Sequence, residues 1–223
     1  MSQPFWTQAS AVAGRDLVRE RRSGEVLWIT IPFGVVALLL VPLAVGTDAP
    51  LLRAIGPGLF WVIVMLFGVL VAVRQANTDT PAQRDASALL GLDPAAGFTG
   101  RTLASSVLLL FFEVVVGFAA IAFYDIPLSG WLWAILVFPL IAVGLALLGT
   151  LAGSIVSNTS AGTALVPFLV VPLAVPLLLG ATQVFEGLRL GHSILGWILL
   201  VLIVDLVLAI VGVLTARPLQ ETR

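Results

Sequence analysis

Cysteine is absent from all 223 residues. That excludes disulfides, thiolate metal sites, C-x-x-C redox chemistry and covalent C-x-x-C-H haem attachment. Lysine is absent as well, and all eleven cations are Arg. Without a Walker A lysine the chain cannot be a P-loop ATPase by itself. Histidine occurs once, so no multi-histidine metal or haem site can form within one chain. Charge is scarce too: 10% of residues are charged and the net charge is −1. Nothing in that balance points to nucleic acid. What is present is apolar. The hydrophobic fraction is 60% and the mean hydropathy +1.13, against roughly 45–50% in soluble domains. A 23.5 kDa globule cannot hide that much apolar surface from water. The composition excludes a water-soluble domain, and the long apolar runs of the chain imply an all-α polytopic membrane protein.

A spanning helix needs about 20 predominantly apolar residues. Six such runs are expected, at Val26–Gly46, Ile55–Val73, Thr102–Tyr124, Trp131–Val156, Gly162–Val184 and Ile194–Ala216. The boundary between the fourth and fifth is Ser157-Asn158-Thr159-Ser160, small polar residues that suit a loop better than lipid. Arg15, Arg19, Arg21, Arg22, Arg74, Arg84, Arg101, Arg217 and Arg223 fall on one side of this arrangement, and only Arg53 and Arg189 on the other. That bias places both termini in the cytoplasm. Tyr124, Trp131, Trp133 and Trp197 then lie at the outer interface and Trp28 at the inner one. The first apolar run follows a charged stretch without a small-residue cleavage site, so it is expected to remain as an anchor. One transmembrane domain over 1–223 is expected, with neither a soluble domain nor a strong internal repeat.

Two segments lie outside the spans. In residues 5–22, Phe5, Ala9, Val12, Ala13 and Leu17 recur as an apolar stripe, and Arg15, Arg19 and Arg22 cluster on one flank. This is the pattern of an N-terminal interfacial amphipathic helix. It serves either as a simple positive anchor or as an elbow that transmits motion from a cytoplasmic partner. Residues 74–101 form the one sizeable inner loop. Thr80-Pro81 can open a short helix with a polar face at Gln83, Arg84 and Asp85. Its apolar face is Ala86, Ala88, Leu89, Leu90 and Leu92, and Pro94 and Gly97 are expected to end it. Such a helix can dock a motor protein or be a surface connector. On the outer side His192 follows Glu186-Gly187-Leu188-Arg189-Leu190-Gly191. It is either an interfacial histidine or a haem ligand.

Two carboxyl groups fall inside the spans, Glu113 in the third and Asp205 in the sixth. Each costs about 2.5–3.5 kcal/mol at a helix centre. With no Arg or His at that depth, each requires a proton, a hydroxyl partner, another subunit or a wet cavity. Ser106 shares the face of Glu113. Pro32 and Pro42 in the first span, and Pro167, Pro172 and Pro176 in the fifth, are expected to kink their helices. Gly149-x-x-x-Gly153 permits close helix approach. Catalytic frames are missing: Gly153-Ser154 has no Gly-x-Ser-x-Gly context, and one histidine cannot make His-Glu-x-x-His. No enzyme activity is expected of this chain alone.

Taken together, the residues resemble the CcmB family, the haem-exporter-type permeases of bacterial cytochrome c maturation. The likeness runs over nearly the whole chain. It is carried by Asp16-Leu17-Val18-Arg19-Glu20-Arg21-Arg22, by Val41-Pro42-Leu43-Ala44-Val45-Gly46, and most specifically by Ile55-Gly56-Pro57-Gly58-Leu59-Phe60-Trp61-Val62. Further likeness lies in Ala88-Leu89-Leu90-Gly91-Leu92-Asp93-Pro94, in Glu113, and in the Gly-rich fourth and Pro-rich fifth spans. The stretch Gln83-Arg84-Asp85-Ala86-Ser87-Ala88 departs from the acidic run usual there.

The resemblance implies an ABC-2-type permease-like bundle in the bacterial cytoplasmic (inner) membrane, with both termini inside. It implies a separate CcmA-type ATPase, CcmC- and CcmD-type membrane subunits, a CcmE-type haem chaperone and a homodimer within the complex. ATP would sit on the ATPase and haem on partner subunits, with no cofactor held by this chain alone. Its work would be to couple ATP hydrolysis to haem delivery or to release of the haem-loaded chaperone. Arg84, Asp85, Leu89 and Leu90 would then make the motor contact, Arg15, Arg19 and Arg22 would anchor the elbow, and Glu113 would serve an internal or subunit contact. The alternatives are an exporter permease for a lipid, drug or polysaccharide, and a non-transporting membrane scaffold.

Overall fold

A computed structural model describes residues 4–46, 48–78, 91–126, 131–156 and 162–216. All regular structure among the described residues is helical. Helix α1 runs Phe5–Ser23, α2 Glu25–Val45, α3 Ala49–Thr78, α4 Pro94–Tyr124, α5 Trp131–Val156, α6 Leu165–Leu190 and α7 Leu195–Ala216. Helices α2 to α7 are each long and apolar enough to cross a membrane. The protein is a polytopic helical membrane protein.

Helix α3 begins six residues before the expected span, at Ala49, with Asp48 Oδ1 accepting the Leu51 N–H. It then continues inward to Thr78, and α4 starts at Pro94 rather than near Thr102. Pro94 and Gly97 therefore lie in the first turn of α4, and the helix expected before them falls mostly outside the described residues. Asp93 accepts the Ala95 N–H at 3.0 Å and Pro94 takes the first helical position. That pair is a start signal, because proline lacks only an N–H that the first turn leaves unused. The inner connection shortens accordingly, both flanking helices running past the span limits.

Helix α5 is the most enclosed span, and α2 and α7 are the least. It packs against α3, α4, α6 and α7. Gly149 and Gly153 face Ala72 and Ala76 of α3 in the same order along both helices. That parallel register is what alternate threading of α3 and α5 through a bilayer requires. A Cβ on Gly149 would lie 2.8 Å from the Ala72 Cβ, so the glycine sets the helix separation. Phe60, Trp61, Phe67, Phe112 and Phe138 fill the surrounding core.

Each interior proline orphans the carbonyl four residues earlier. For Pro42 this is Leu38, whose oxygen accepts the Tyr124 hydroxyl at 2.8 Å. Tyr124 is consequently buried and ties α4 to α2, instead of anchoring at the outer interface. Gly56 leaves the space its ring occupies. Trp133 and Trp28 are exposed, while Trp197 packs against the core. Pro167 also departs from expectation. It is the third residue of α6, in the first turn, where no intrahelical bond is lost.

Candidate coupling face and intramembrane carboxyls

The inner face is organised by α1. Its stripe does form, but Ala9, Val12 and Ala13 are buried on α4 rather than turned to lipid. The physical reason is Gly100. A Cβ there would lie 2.5 Å from the Ala9 carbonyl oxygen and 2.7 Å from the Val12 Cβ. Only glycine lets the two backbones come this close. At one end of α1 the Gln8 side-chain oxygen accepts the Asp93 N–H at 2.8 Å. At the other, the buried Glu20 carboxylate lies 3.4 Å from Arg74 Nη1, and Arg74 Nη2 donates to Ser23 Oγ at 3.3 Å. Gln75 of α3 also bonds Ser105 of α4. Gly24, at φ 61°, turns the chain from α1 into α2.

Arg15, Arg19 and Arg22 are exposed along α1, as an anchor flank requires. Arg15 Nε donates to Asp16 at 3.0 Å. Arg84, Asp85, Leu89 and Leu90 lie outside the described residues, as does the remainder of 79–90. So does the Ser157–Ser160 boundary.

Glu113 is fully buried on α4, and neither carboxyl oxygen has a hydrogen-bond partner among the described residues. Ser106 does not serve it, since its hydroxyl donates to the Thr102 carbonyl at 2.8 Å. The same back-bonding satisfies Thr150 and Thr182 within their own helices. Asp205 of α7 is buried and likewise unpartnered among the described residues. Its Oδ1 occupies the place a side chain on Gly144 of α5 would take, beside Leu177 of α6. Glu113 and Asp205 form no hydrogen bond with each other. On the outer face Arg53 pairs with Asp125 and Arg189 with Glu186. His192 is exposed, its backbone N–H bonded to the Gly187 carbonyl at 2.8 Å. Among the described residues no cluster of His, Asp and Glu is arranged for a metal ion.

A model of the family described as CcmB protein matches residues 7–218. The chain belongs to the CcmB family. A curated relative, heme exporter protein B of Rhodobacter capsulatus, is 27% identical over 179 residues. That alignment covers 79% of this chain and 82% of the relative. The CcmB match takes in nearly all of α1 and both ends of the inner connection, so these parts are integral to the family's chain.

Gln8, Glu20, Asp93 and Gly100 were not singled out in the sequence as contact residues. Asp93-Pro94 carries a local signal, being a capping residue before proline. The others carry none, because their roles depend on which helices meet.

Proposed function

We propose that this chain is the permease subunit of a haem-exporting ABC transporter in the bacterial cytoplasmic membrane. Membership of the CcmB family over residues 7–218 carries this reading. The six spans and the heme exporter protein B relative support it. ATP hydrolysis belongs to a separate CcmA-type subunit, as the absence of lysine requires of a Walker A motor. That motor docks at the inner connection through Arg84, Asp85, Leu89 and Leu90. Arg15, Arg19 and Arg22 hold α1 to anionic headgroups. CcmC- and CcmD-type subunits and a CcmE-type chaperone handle haem, a second permease copy completes the assembly, and the stroke drives haem delivery or chaperone release.

Affinity purification of the tagged chain from its native membrane, with haem assayed by absorbance, tests the assembly. Recovery of an ATPase together with haem-handling subunits is expected; an ATPase without haem proteins overturns the haem assignment. Leu89→Asp with Leu90→Asp should insert normally yet lose the ATPase. Undiminished recovery of the ATPase refutes this docking site.

A further inference from the structure

The inner connection leaves α3 beyond Arg74 and returns at Asp93, and both points are held by one helix. Glu20 and Ser23 grip Arg74, while Gln8 grips the backbone N–H of Asp93. Gln8 and Glu20 are twelve residues apart on α1, about 18 Å at 1.5 Å per residue. Between them the helix rests on Gly100 with no room for a side chain. Beyond Glu20, α1 continues through Gly24 into α2, one of the two least enclosed spans.

We propose that α1 is a two-point strap across the base of the inner connection, carrying its displacement through Gly24 into α2. This rests on the reading that a motor docks on that connection. Glu20 and Arg74 are positioning residues: they touch neither nucleotide nor cargo, but keep the two ends of the docking segment and α2 moving as one body. A helix that merely anchored the chain to lipid would need its arginine flank and an apolar side. It would not need a buried carboxylate paired with α3, a glutamine completing the cap of α4, or a left-handed glycine turn leading directly into α2. A load crossing α1 must pass through contacts that resist shear. An ion pair whose carboxylate is buried and whose guanidinium is half-buried suits this, because a buried Glu20 charge left without Arg74 is unfavourable.

The test uses the intact complex, comparing wild type, Arg74→Glu, and the exchange Glu20→Arg with Arg74→Glu. Three quantities are read: ATPase retained on the purified complex, ATP hydrolysed, and cytochrome c haem attachment in cells. Arg74→Glu is expected to retain the ATPase but to lower haem attachment per ATP hydrolysed by at least about tenfold. The exchange should recover most of that loss. Because the chain has no cysteine, Glu20→Cys with Arg74→Cys can also be joined by a short thiol cross-linker. The joined protein should regain the coupling that the unjoined pair of substitutions loses, even if Arg74→Glu folds poorly. Wild-type yield per ATP in Arg74→Glu, or no recovery on joining, overturns the strap. If the wild-type chain retains no ATPase, the motor reading falls and the strap falls with it.

Discussion

Tyr124→Phe removes one oxygen atom and leaves the ring. The ring fits against Gly56, so the substitution opens no cavity of consequence and isolates a single hydrogen bond. That bond is not optional, because Pro42 cannot supply the N–H that the Leu38 carbonyl would otherwise receive. An unsatisfied buried carbonyl costs about 1–3 kcal/mol. Hydrogen bonds measured inside membrane bundles average about 0.6 and reach about 1.7 kcal/mol. The expected loss is therefore about 1–1.5 kcal/mol, toward the upper end, since the backbone offers no replacement donor. Pro42→Ala changes this account by restoring an N–H four residues along. In the Pro42→Ala background, Tyr124→Phe should cost less than half as much. The assay is reversible unfolding in mixed micelles titrated with a denaturing detergent, run on all four members of the cycle. Equal costs of Tyr124→Phe in the two backgrounds would refute the idea that Tyr124 substitutes for the missing proline donor.

Glu113 is buried without a hydrogen-bond partner among the described residues, so Glu113→Leu should leave thermal stability unchanged or raised while impairing haem delivery, and Glu113→Gln should preserve delivery. Normal delivery by the Leu variant would show that the carboxyl has no polar role. Gly149→Ala forces a Cβ to 2.8 Å from Ala72 and should cost about 1–3 kcal/mol. Gly153→Ala, with its nearest neighbour at 3.6 Å, should stay within about 0.5 kcal/mol. Detergent unfolding of both variants checks the pair, and similar costs would contradict the register of α3 on α5.

Much of this architecture is legible in the chain because lipid imposes a one-dimensional rule. Backbone groups without water must bond within their own helix, so length and hydropathy alone mark a span. The six apolar runs, their order and the arginine bias needed nothing further. Helix α1 was legible for a similar reason, as five apolar residues at helical spacing make one face. What that face touches was not. The same stripe suits lipid or protein, and only Gly100 brought beneath Ala9 and Val12 decides for α4.

The remaining differences share a cause. Pro94 has the same local chemistry whether it ends one helix or starts another, and the capping by Asp93 settles which. Tyr124 suits an outer interface by type, yet is drawn inward because a proline on another helix leaves a carbonyl open. The sequence by itself determined that this protein has six runs able to span the membrane, and that nine of its eleven arginines fall on one side of them. Those properties follow from composition and period, which each segment carries alone. The tertiary structure decided that α1 straps both ends of the inner connection, that Tyr124 completes the hydrogen bonding of α2, and that Asp205 fills the gap at Gly144. Each of these is a meeting of residues from different helices, and no single segment holds the information for it.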